Sequence, residues 1–200
     1  MGRKSLAPVR TEEILEALDR CVLRDGLAAT TLASVAAEAA VPRTLISHYF
    51  GGREGLLLAF FGRILARRLP EFEAWVARKR GRSRLRAGLC YLFEGPFLDD
   101  HHGLATSGEM LGLAARNPDC ARVLREMYDG FAAAVERELE THAPQASPAR
   151  RKEAAYAIVC LAEQNQAQRW LGASPTQGRR ALRAAETLVA SLGTRDPEEP

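Results

Sequence analysis

Two hundred residues suffice for one or two compact domains. Apolar side chains make up 46% of them and aromatics only 6%, with Ala and Leu plentiful, which favours a helical core over a sheet. The net charge of +3 points to no partner by itself. No apolar run approaches the roughly 18 residues of a membrane span, and no apolar segment follows the basic start "MGRKSLAPVR", so neither a span nor a secretory leader is expected.

Residues 1–8 read as a flexible arm. A first helix is predicted from Val9 to Arg24, with Ile14, Leu15, Leu18, Cys21 and Val22 on one face and Gly26 as its stop. Thr30 or Thr31 offers an N-cap for a second helix, Leu32 to Ala39. Pro42 suits the first turn of a short third helix, Pro42 to Tyr49, which "FGG" breaks. A fourth helix runs from Glu54 into the 60s. Pro70, Gly81, "EGP" and "DDHHG" punctuate the chain from there to residue 103. Helices then follow at Leu104–Ala115, Pro118–His142, Ala149–Leu171 and Thr176–Leu192. The tail "GTRDPEEP" has the composition of a disordered segment. No segment alternates apolar with polar residues over strand length. The fold class is therefore all-α, with about nine helices.

Cys21, Cys90, Cys120 and Cys160 have no CxxC spacing, and three lie in apolar helical patterns. They read as reduced, mostly buried thiols of a cytoplasmic protein.

Two short helices joined by a tight turn, the second bearing exposed polar residues, have the makings of a helix-turn-helix. The second would be "PRTLISHYF", with Val41 and Ile46 plugging a three-helix core and Phe50 anchoring the next helix. Arg43 and Thr44 are placed to reach base edges or phosphates. Ser47, His48 and Tyr49 would lie nearer the DNA backbone. On spacing alone a helical hairpin in an ordinary core fits better, because generic matches of this kind are common.

The order of features separates the two readings. The run "TTLASVAAEAAVPRTLISHYFGGREGLL", Thr30 to Leu57, resembles the DNA-binding segment of the TetR family of repressors. The matching residues are Val35-Ala36, Val41, Tyr49-Phe50, Glu54 and Leu56, with Arg53 in place of the usual lysine. "ISHYF" looks most like the choline-responsive members. The chain departs from the family pattern at Ala40, where a turn glycine is usual, so the turn must avoid a left-handed conformation or accept strain. It also departs at Pro42 (a common N-cap serine), at Leu45 and at Ser47.

The resemblance implies a helix-turn-helix domain over residues 1–54 and a ligand-binding and dimerisation domain over 55–193, with the tail 194–200 read as disordered from its composition. It implies DNA contacts from Arg43, Thr44, Ser47, His48 and Tyr49, with Thr31 and Arg53 on phosphate and Arg3, Lys4 and Arg10 reaching from the arm. It also implies an effector site among the middle helices, with Phe93, Phe97, Met110, Tyr128, Phe131, Gln164, Asn165 and Gln168 as candidates. In the eighth helix Glu163, Gln164, Asn165 and Gln166 cover every face of one turn, so at least one must point inward and needs a partner.

The last two helices carry apolar stripes. Ile158, Leu161 and Ala162 lie on one, and Ala185, Leu188, Val189 and Leu192 on the other. They are expected to form a four-helix seam with a second copy, matching palindromic double-stranded DNA, the alternative being ordinary packing inside one chain.

Positive charge concentrates in "RKRGRSRLR", Arg78 to Arg86, read as solvated surface. "DDHH", Asp99 to His102, is read as a polar loop. No metal site, cofactor or catalytic residue is expected, and no GxSxG motif occurs. The expectation is a homodimeric repressor released from its operator by a small molecule. An effector-independent DNA binder or activator, or an all-helical enzyme or carrier, are the other readings.

Overall fold

A computed structural model describes residues 7–98 and 101–193, apart from the side chains of 101–105 and 107. Arg3, Lys4, Asp99, Asp100 and the tail 194–200 lie outside the described residues, as do the side chains of His101 and His102. Nine α-helices and no strand occur among the described residues: α1 Ala7–Asp25, α2 Leu32–Glu38, α3 Arg43–Phe50, α4 Arg53–Ala77, α5 Ser83–Phe93, α6 His101–Ala114, α7 Pro118–His142, α8 Pro148–Trp170 and α9 Pro175–Ser191.

The caps explain most of these limits. Pro148 and Pro175 are the first helical residues behind Ser147 and Ser174, where a missing N–H leaves nothing unpaired. Each helix therefore starts one residue before the apolar pattern suggests.

Three expectations are corrected. Pro42 is the N-cap of α3 and not its first turn, with φ −63° and ψ 140° and no side-chain cap. Pro70 does not interrupt the chain but lies inside α4. Proline removes one helical hydrogen bond there, yet Ala66 and Pro70 are both exposed, so water can satisfy the freed carbonyl. "DDHHG" is not wholly a loop, because α6 already begins at His101.

The chain forms two compact units, Met1–Ala66 with His101–Leu124, and Arg67–Asp100 with Arg125–Pro200. In the first unit α1 packs on α2, α3 and α6. Its core holds Ile14, Leu18, Cys21, Val35, Ile46, Leu56, Phe60 and Phe61. Ion pairs bind its rim: Glu38 accepts from Arg20 at 2.7 Å and Arg24 at 3.0 Å, and Arg63 of α4 meets Glu12 at 3.1 Å.

The second unit is built on α8 packed against α9, with α5 against both. Small residues let them approach closely: Ala155, Ala162, Gly178 and Ala185 are all buried. Phe72 sits between Tyr91 and Phe131, at ring distances of 5.4 and 5.5 Å, and Phe97 lies 6.1 Å from Phe131. Each such ring contributes roughly 1.5–3 kcal/mol by leaving water. Arg84 donates to both oxygens of the buried Glu138, at 2.9 and 2.7 Å, so the charge is paired where water is scarce.

Ala40 turns the chain between α2 and α3 with φ 52°, a left-handed conformation that crowds its Cβ. The turn thus accepts the strain. Ala40→Gly is expected to raise unfolding free energy by about 1 kcal/mol. A urea titration that gave a lower midpoint would contradict this.

Candidate nucleic-acid interface

Helix α3 has eight residues, too few to persist alone in water. It is held by Ile46, which is fully buried, while Leu45, Tyr49 and Phe50 are half-buried. Gly51 closes it at φ 73°, and its N–H bonds the carbonyl of Ser47 at 2.8 Å. Because Ile46 points inward, the helical period turns Arg43, Thr44, Ser47 and His48 outward, and all four are exposed. Arg43 has no carboxylate partner among the described residues. His48 and Tyr49 meet edge to face, with ring centres 5.3 Å apart.

Helix α2, which precedes the turn, is capped by Thr31. Its Oγ1 accepts from the Ser34 N–H at 3.1 Å, and the Ser34 Oγ accepts from the Thr31 N–H at 2.9 Å. Thr31 also donates its hydroxyl to Ser34 Oγ at 3.2 Å. A phosphate oxygen would have to take over that hydroxyl proton. Thr30, the other cap candidate, is buried and donates to the Gly26 carbonyl at 2.8 Å.

Arg53 is partly turned inward. Its guanidinium donates to the carbonyls of Thr30 and Leu27, the latter at 3.2 Å. This ties the start of α4 to the loop before α2, so Arg53 sets the position of the α2–α3 pair. Arg10 lies within α1 and is paired with Glu13 at 2.7 Å.

The headpiece contains as many acids as bases, but several of the acids are held in ion pairs. Glu12, Glu13, Glu38 and Glu54 pair with Arg63, Arg10, Arg20 with Arg24, and Arg116 respectively. The two guanidiniums hold the Glu38 carboxyl below the usual carboxylate range. Arg43 is left uncompensated at the exposed face of α3.

The predicted effector residues divide. Phe93, Phe97, Tyr128, Phe131 and Asn165 lie in the second unit, with Phe93, Phe97, Phe131 and Asn165 buried. Met110 is buried in the first unit. Gln164 and Gln168 are exposed. The inward amides of that helical turn are Asn165 and Gln166, and Gln166 donates to the Phe97 carbonyl. The signal was present: the buried series Ala155, Ile158 and Ala162 continues at helical spacing to those two residues. Arg68, missed from sequence, places its guanidinium 5.5 Å from the Phe97 ring centre. Tyr128 Oη stands 3.5 Å from Glu163 Oε2. Burial, reinforced by the Glu163 charge, pushes the Tyr128 phenol up to about 12.

Of the predicted seam residues, Ile158, Ala162, Ala185 and Leu192 are buried within the chain itself. Leu161, Leu188 and Val189 are half-buried. The outward side of α8 carries Tyr156, 68% exposed, together with Cys160 and Gln164.

A capped helix, a tight turn and a short polar-faced helix on a three-helix core define a helix-turn-helix headpiece on an all-helical body. Residues 14–60 match the model of the bacterial regulatory proteins, tetR family. The HTH-type transcriptional regulator BetI of Burkholderia cenocepacia is 34% identical over 102 residues, covering 47% of this chain and 50% of that protein. The chain thus spans about half the length of the curated relatives it matches. A TetR transcription regulator from Haloarcula marismortui superposes with a TM-score of 0.75 at 16% identity, covering 92% of this chain and 98% of the other. The reduced form of E. coli NemR gives 0.68 at 19%, covering 90% and 96%. At those identities the likeness to solved structures is one of fold. The likeness to the tetR family is thus carried by the headpiece, residues 14–60, and the likeness of the rest of the chain is one of fold.

Two measurements check this geometry. Arg53→Ala is expected to cost about 1–3 kcal/mol of stability through the two carbonyls it abandons. A loss of DNA affinity with unchanged stability would instead make it a phosphate contact only. Tyr128 is expected to ionise near pH 12 in an ultraviolet titration, a step that Tyr128→Phe removes. Its folded value lies above the ordinary 10, so its contribution to stability is full below pH 10 and is lost as pH rises from 10 to 12.

Proposed function

We infer that the protein is a homodimeric transcriptional repressor of the cytoplasm, without enzymatic activity, that a small-molecule effector releases from its operator. The observation that carries this reading is the exposed row Arg43, Thr44, Ser47 and His48 on a helix locked by Ile46. A helix so presented enters the major groove, where Arg43 and Thr44 read base edges. Ser47, His48 and Tyr49 position the helix on the backbone. The open N–H groups at the start of α2, beside Thr31, add a phosphate site. Palindromic half-sites follow from twofold pairing of two chains. The seam would use the outward side of α8 and α9, with Tyr156, Leu161, Leu188 and Val189, because the deeper apolar residues are already covered.

The effector is placed at the second unit's aromatic cluster, where Phe97, Tyr128 and Phe131 adjoin polar groups of Arg68 and Glu163. Its binding favours a headpiece spacing that does not match the operator. To shift occupancy strongly it must prefer that state by roughly 3–5 kcal/mol. One observation favours a second reading, an effector-independent DNA binder: Phe72, Phe93 and Phe131 fill the core of that cluster, each at most 2% exposed.

The test is a polarisation titration against the DNA upstream of the protein's own coding sequence, with random DNA beside it at two salt concentrations. A specificity ratio of about 10³ or more is expected. Arg43→Ala is expected to cost about 1–3 kcal/mol on the operator and much less on random DNA. Equal losses on both would reduce Arg43 to a phosphate contact, and no preference by the unaltered protein would end the repressor reading.

A further inference from the structure

The basic run Arg78 to Arg86 divides on folding. Arg84 is consumed by Glu138 inside the second unit. Arg78, Lys79 and Arg86 instead border an open groove of about 540 Å³ between the end of α4 and the start of α5. That volume lies within the roughly 300–1,000 Å³ of small-molecule sites. Its remaining lining is Trp75, Ala87, Cys90 and Ser83, and no acidic side chain among the described residues contributes.

The floor is rigid and apolar. Trp75 donates its indole N–H to the Ala87 carbonyl at 3.1 Å, which fixes the ring across the two helices and satisfies its one polar atom. The Arg78 guanidinium stands 5.4 Å from the Trp75 ring centre, a cation–π contact that holds it at the groove. Arg78, Lys79 and Arg86 have no carboxylate partner among the described residues. Glu73, on the last turns of α4, is committed to Arg137 at 2.6 Å. Helix α5 begins behind Arg82 without a side-chain cap.

We propose that this groove binds a small organic anion, a carboxylate or phosphate on a hydrocarbon body. The anion is held by Arg78, Lys79 and Arg86 and the body lies on Trp75, Ala87 and Cys90. Three unopposed cations select against a cation or a neutral molecule, and the apolar floor selects against a bare inorganic ion. The site lies outside the Phe97–Tyr128–Glu163 cluster and does not depend on what that cluster binds.

The test is isothermal titration calorimetry of the full chain with three probes: 1-naphthyl phosphate, 1-naphthol and inorganic phosphate. Binding of 1-naphthyl phosphate with Kd on the order of 10–100 µM is expected, with both other probes at least ten-fold weaker. Lys79 and Arg86 are exposed, so the double variant Lys79→Glu/Arg86→Glu should keep its melting temperature while losing at least ten-fold in affinity for 1-naphthyl phosphate. Tyr128→Phe should bind it unchanged, which separates this groove from the effector site. Absence of binding, equal affinity for 1-naphthol, or full affinity in the double variant would each overturn the proposal. So would a flatter salt dependence of DNA binding in the double variant with 1-naphthyl phosphate binding intact, since the cations would then serve DNA.

Discussion

The burial of Ile46 is the contact on which the rest depends. An eight-residue helix buries too little of itself to be stable, and α3 exists because one aliphatic side chain enters the core against α1 and α2. That contact fixes the helix's rotation, and the rotation decides which side chains face outward. The turn before it accepts a left-handed alanine, and the turn after it uses a left-handed glycine. A further close approach supports the exit: a Cβ on Gly55 would lie 1.8 Å from the Phe50 carbonyl oxygen, so no larger residue fits there without movement.

Electrostatics works by subtraction in both units. The headpiece is formally neutral, but Glu12 and Glu38 are bound by arginines on neighbouring helices, Glu54 by Arg116 and Glu13 by an arginine on its own helix, and the potential at the exposed face of α3 is set by what is left. The basic run at the α4–α5 join follows the same rule. One arginine, half-buried, is paired with the buried Glu138, and the others stay available. Net charge is a poor guide in either case, because an exposed pair cancels locally while an unpaired cation keeps its field. Exposed pairs of this kind add little stability, so their main effect is on where charge remains.

Much of this was legible in the chain. Apolar periodicity located the helices, and the caps at Thr31, Ser147 and Ser174 explain where three of them start. The order of threonines, small residues and aromatics between Thr30 and Leu57 identified the headpiece, and the period around Ile46 placed Arg43, Thr44, Ser47 and His48 outward. These signals act within one or two turns of backbone, where sequence spacing and spatial spacing coincide.

Tertiary structure decided the rest. It turned Arg53 onto the carbonyls of Leu27 and Thr30, a tie that local spacing does not reveal. It chose Asn165 and Gln166 as the buried amides, Gln166 finding its acceptor 69 positions away at Phe97. It carried α4 through Pro70, covered Ile158 and Ala185 within one chain, and opened a groove beside Trp75. The physical reason is common to all of these. A long side chain or a second apolar face takes its partner from whichever distant element packs against it, and that element is absent from any local window of sequence.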